Sequence, residues 1–65
     1  MNNMKYTLLN NVGYHMWMGN TDLVMHYVNC HTMQYGEMKM DDWATATAVY
    51  NELEAEYEEE NNARL

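Results

Sequence analysis

The apolar positions of this chain change their period near residue 43. From Met4 to Leu9 they alternate, with Met4, Tyr6 and Leu8 on one side and Lys5, Thr7 and Leu9 on the other, which predicts a first strand. Asn10-Asn11-Val12-Gly13 is rich in residues that tolerate positive φ and suits a turn. A second strand, Tyr14 to Met18, sets Tyr14, Met16 and Met18 against His15 and Trp17, and Gly19-Asn20-Thr21-Asp22 gives a second turn. From Leu23 to about Thr32, Leu23, Met25 and Tyr27 face away from Val24, His26 and Val28. The Val and Tyr content favours a third strand over the alternative, a helix capped by Thr21-Asp22 with the stripe Leu23, Tyr27 and Cys30. Gly36 turns the chain, and a short extended piece, Glu37 to Met40, leads into Asp41-Asp42.

From Trp43 onward the period is helical. Trp43, Ala46, Tyr50, Leu53 and Tyr57, widened by Val49, form one stripe at three- and four-residue spacings. Asp41 and Asp42 can accept hydrogen bonds from the free amides at the start of this helix and suit its positive end. Asn61 to Leu65 reads as a frayed tail after a single domain over residues 1–60. The pattern therefore predicts an α+β fold: an antiparallel β-meander of about three strands covered by one C-terminal amphipathic helix. Both faces of that sheet are rich in apolar residues, Leu9, Trp17, Val24 and Val28 opposing Tyr6, Leu8, Met16, Met18, Met25 and Tyr27. One face would meet the helix, and the other would be exposed enough to imply a second chain.

Composition sharpens that expectation. Sixty-five residues bury only about 60% of the surface of the unfolded chain. One cysteine allows no internal disulfide, which leaves association as the usual remedy and points to a homodimer. Met and Tyr are the commonest apolar residues, and Phe is absent. Ten acidic residues against Lys5, Lys39 and Arg64 give a net charge of −7. Phosphate binding needs clustered Lys or Arg, so neither nucleic acid nor an anionic membrane is expected as a direct ligand. With no apolar run long enough for a span and no leader pattern at the N-terminus, a cytoplasmic location is expected, one that Cys30 suits.

The acidic residues concentrate in Glu52-Leu-Glu-Ala-Glu-Tyr-Glu-Glu-Glu60, at the end of the helix where the macrodipole is already negative. Like charges at i,i+4, such as Glu52/Glu56 and Glu54/Glu58, each add roughly 0.2–0.5 kcal/mol of repulsion. Between Asp41 and Ala63 no basic residue compensates. A helix built only for stability would pair its glutamates; this one either keeps a sticky protein soluble or meets positive charge on a partner. His15, His26, His31 and Cys30 raise a zinc site, but Cys30 and His31 would sit on opposite sides of a strand and no second Cys exists, so no metal or other cofactor is expected. With no serine, no Gly-rich phosphate loop and no group to orient a Cys30–His pair, an enzyme is not expected either.

The turn glycine Gly36, the acidic cap Asp41-Asp42, the aromatic Trp43 and the glutamates that follow give residues 35–60 a layout that resembles the small acidic phage-encoded inhibitors of DNA-binding enzymes, the uracil-DNA glycosylase inhibitors in particular. The first 30 residues do not align with that family. The resemblance implies that carboxylates stand in for DNA phosphates while an apolar pocket grips a side chain of the host enzyme. By it, Asp41, Asp42, Glu52, Glu56 and Glu59 would be the phosphate mimics and Met40, Trp43 and Tyr50 the pocket. The partner would be the basic nucleic-acid-binding groove of the enzyme, met in the host cytoplasm.

Overall fold

The computed structural model describes residues 4–63. It contains three helices: α1 (Met4–Met18), α2 (Thr21–Tyr35) and α3 (Met40–Ala63). No strand occurs among the described residues, so the β-meander and its α+β fold are replaced by an all-helical one.

The reason lies in α1. Alternation would place Tyr6 and Leu8 on one face, but Tyr6 is 63% exposed and Leu8 6%. The residues that go inside are Leu8, Leu9, Val12 and Gly13. Adjacent Leu8 and Leu9 cannot share one face of a strand, whereas spacings of one, four and five residues make a single helical stripe. Leu and Met are also strong helix formers. In α2 the same logic brings Val24, Tyr27 and Val28 onto the core and buries His31, at intervals of three, four and seven residues. The helical alternative for residues 21–33 is thus the observed one, with Asn20 as its cap: its side chain accepts from the Leu23 amide.

The junction between α1 and α2 uses two residues. The Gly19 amide donates to the Met16 carbonyl at 3.2 Å and the Asn20 amide to the His15 carbonyl at 3.0 Å, a Schellman closure with Gly19 at φ +73°. Gly36 ends α2 at φ +88°, ψ −177°, a region that only glycine enters readily. Gly36→Ala is therefore expected to lower stability by about 1–3 kcal/mol, read as a fall in the midpoint of thermal unfolding. An unchanged midpoint would mean that the loop relaxes into another conformation.

Lys5 beside Asp42, Gly13 against Ala46 and Trp17 against Glu54 show that α1 and α3 run parallel, with α2 antiparallel between them in sequence. α1 is the hub, packing on both neighbours, while no Cα of α2 comes within 8 Å of one in α3. A Cβ on Gly13 would collide with the Ala46 carbonyl oxygen and approach the Val49 Cβ to 2.8 Å, so α1 and α3 cross in backbone contact. That close approach is why a glycine occupies the middle of a helix where its propensity is poor. The buried apolar core is small: Leu8, Leu9, Val12, Met38 and Ala46. Met38 reaches it from the loop between α2 and α3.

The helix expected from Trp43 begins one turn earlier, at Met40, and runs to Ala63, past Glu60 where the tail was expected. Arg64 and Leu65 lie outside the described residues. Among the described residues there is neither a sheet whose apolar face could form a dimer nor the sheet-plus-helix layout of the inhibitor family. None of the helices among the described residues is long and apolar enough to cross a membrane.

Candidate functional site

At 3.6 residues per turn, Asp41, Glu52, Glu56 and Glu59 fall within a sector of about 60° on α3. All four are exposed. Glu52, Glu56 and Glu59 make no ion pair among the described residues, and α3 offers no basic residue in its last turn. The stripe borders the groove where α3 packs on α1. There Thr7, Asn10, Asn11 and Tyr14 from α1 and Val49, Glu52 and Leu53 from α3 line a concavity of about 430 Å³. A smaller one of about 220 Å³ lies nearer the helix starts, between Lys5, Tyr6 and Leu9 on one side and Asp41, Asp42 and Thr45 on the other. Carboxylates, amides and a tyrosine thus share one long face.

Asp42 belongs to this region but is turned inward, 8% exposed. The Trp43 amide bonds to the Lys39 carbonyl, which makes Lys39 the cap of α3, and the Asp42 carboxylate accepts from the Lys39 amide at 3.0 Å. This is the backward half of a capping box, with aspartate in the third helical position. Lys5 Nζ lies 3.3 Å from the other carboxylate oxygen. The buried His31 donates from Nδ1 to the Gly36 carbonyl at 3.0 Å and presents Nε2 at 3.7 Å from Asp42. Asp42 therefore joins α1 to the start of α3, with its charge engaged within the chain, while the buried His31 Nε2 that faces it makes no hydrogen bond.

The Lys39 amide holds the Asp42 carboxyl below the usual carboxylate value; burial pulls it up, and Lys5 adds to the lowering. A depressed folded value stabilises the fold above the ordinary carboxylate range, and that contribution is lost as pH falls below about 4. Acid also relieves repulsion among the glutamates of α3, so the informative quantity is a difference. The gap in unfolding temperature between the native chain and Asp42→Asn should be widest near neutrality and close on acidification. A gap that widens in acid would contradict the assigned role of Asp42.

The aromatic pocket residues implied by the resemblance lie elsewhere. Trp43 and Tyr50 sit on the opposite flank of α3, about 160–180° around the helix from Glu52, and line the trough facing α2. Met40 is 88% exposed and lines neither concavity of the carboxylate face. Asp41, Glu52, Glu56 and Glu59 therefore share one side of α3, Asp41 near its start and the glutamates in its second half, opposite Trp43 and Tyr50. The two tryptophans differ in role: Trp17 Nε1 donates to Glu54 at 2.9 Å and its ring meets Tyr57 edge-on at 6.1 Å, whereas Trp43, expected as the first core anchor of the helix, is 41% exposed. Tyr14, Asn10 and Asn11 escaped the sequence reading because they were assigned to a strand and a turn; on a helix their spacing places them beside Glu52.

For metal chemistry the arrangement offers little. Cys30 Sγ lies 3.7 Å from His26 Nε2, while His31 is buried against Asp42. No group of three or more His, Cys, Asp or Glu among the described residues is placed to hold an ion. Neither protein-family models, curated proteins nor solved structures yield a match to this chain, so its functional reading rests on the geometry of the α1–α3 face.

Proposed function

We propose that this protein is a binding module that uses the carboxylate stripe of α3 to occupy a cationic surface, the nucleic-acid-binding groove of a DNA-processing enzyme such as a uracil-DNA glycosylase, and thereby inhibits it. The observation that carries the reading is the run Glu52, Glu56 and Glu59: exposed, aligned, and without countercharge among the described residues. Four and three residues apart, these carboxylates are spaced about 6 Å and about 4.5 Å along the axis, a rigid row of negative charge comparable in function to a phosphate backbone. The concavity beside Glu52, floored by Val49 and Leu53, supplies a place for an apolar side chain of the enzyme. Such charge complementarity raises association rates and weakens as salt screens it.

A second reading has its own support. Met4, Tyr6, Tyr14, Met18, Met25 and Met33 are all exposed, while the buried apolar core among the described residues is small, a surface that suits an assembly module kept soluble by its glutamates. Capture from a bacterial lysate separates the two. The inhibitor reading expects a nucleic-acid enzyme retained at low salt, released at high salt, and slowed on its substrate by the added protein. Retention only of further copies of the chain, insensitive to salt, would favour assembly and overturn inhibition.

A further inference from the structure

The geometry points to a second binding surface: the trough between α2 and α3 is a docking slot for a cationic amphipathic helix of a partner protein. It is independent of the carboxylate stripe, which lies on the other flank of α3. Packed helices sit 8–10 Å apart axis to axis, but α2 and α3 have no Cα pair within 8 Å and approach through side chains, His31 beside Asp42 at one end. The three helices thus form a bundle with one position open. Along that opening lie two concavities, of about 440 Å³ and about 410 Å³. Val24 and Val28 form one wall, Tyr50 and Trp43 the other, with Met16 and Met38 completing the lining. Valines four residues apart facing aromatics seven apart present the i, i+4, i+7 spacing that receives a helix, and methionine adapts to whatever side chains enter.

Charge selects the occupant. No Lys or Arg lines either concavity. Glu37 lines the trough at one end, and the chain carries a net charge of −7. A helix with an apolar stripe and basic flanks would fill the slot, pair with Glu37 and suit the negative charge of the chain. A second copy is a poor occupant: each chain carries −7, and among the described residues its only Lys are Lys5, paired with Asp42, and Lys39, in a loop.

The test uses the full chain and two synthetic Leu/Lys peptides of about 14 residues, a length of about 21 Å. One carries leucines at i, i+3, i+4 and i+7; the other has the same composition in scrambled order. Calorimetric titration should show the periodic peptide binding at least about tenfold tighter. Val28→Glu should weaken its binding by about tenfold or more, although the variant is more negative and general attraction alone would strengthen it. Should Val28→Glu fail to fold, Thr32→Trp, at an exposed position in the lower concavity, fills the slot without changing charge and should weaken binding likewise. Equal affinity for the two peptides, binding unaffected by the folded variant, or sedimentation showing a dimer that the trough variant dissociates would each overturn the assignment.

Discussion

Gly13→Val is expected to leave the protein largely unfolded at room temperature. Any Cβ at this position meets the Ala46 carbonyl oxygen and the Val49 Cβ, and the first of these is backbone that cannot swing aside. α1 must then move off α3, opening the crossing that holds Leu9, Val12 and Ala46 away from water. Overpacking of this kind costs about 1–3 kcal/mol for an extra methyl or two, more when backbone must shift, while exchanging a helical glycine for alanine returns only about 1 kcal/mol. Cores of chains this short seldom supply more than about 3–5 kcal/mol, so valine exceeds the available margin and alanine erodes most of it. The comparison that isolates the effect is Gly19→Ala. Nothing lies within 4 Å of a Cβ there, and only its φ of +73° is unfavourable, at about 1–2 kcal/mol. Circular dichroism on heating should rank the stabilities native, Gly19→Ala, Gly13→Ala, Gly13→Val; a Gly13→Ala variant as stable as the native chain would mean that the helices do not cross in backbone contact.

Neutralising the stripe should have the opposite signature. In Glu52→Gln/Glu56→Gln/Glu59→Gln the helix loses i,i+4 repulsion of a few tenths of a kcal/mol per pair, so folding is retained or slightly improved. Binding to the basic partner should fall by at least about 100-fold, given that close interfacial charge pairs couple by about 1.5 kcal/mol or more and each 1.4 kcal/mol is a factor of ten. A folding gain with a binding loss is hard to obtain from any account in which the glutamates only confer solubility. Undiminished binding of the folded triple variant would remove the stripe from the interface.

α3 was legible in the sequence because its stripe from Trp43 to Tyr57 is long and its acidic start is a local signal. Gly19 and Gly36 announced the two chain reversals for the same reason: positive φ is a property of the residue itself. The first half was misread because Met4, Tyr6 and Leu8, then Tyr14, Met16 and Met18, alternate by coincidence with polar neighbours. Gly13, taken as a turn, is required mid-helix by a neighbour more than thirty residues away, and no local pattern carries that information. With α1 assigned as strands, the face it shares with α3 could not be foreseen, nor could the turning of Asp42 toward Lys5 and His31. Glu52, Glu56 and Glu59 share one side of α3 because their spacing of four and three residues depends on that helix alone.

The measurement closest to the central claim is carboxyl footprinting of the protein free and in complex with the enzyme captured from lysate, using carbodiimide coupling and mass spectrometry to follow each acidic side chain. Glu52, Glu56 and Glu59 should become strongly protected on binding, while Asp42, buried and engaged by Lys39 and Lys5, reacts slowly in both states. If those three glutamates couple at the same rate bound and free, the partner is held by some other surface and the carboxylate stripe is not the binding site.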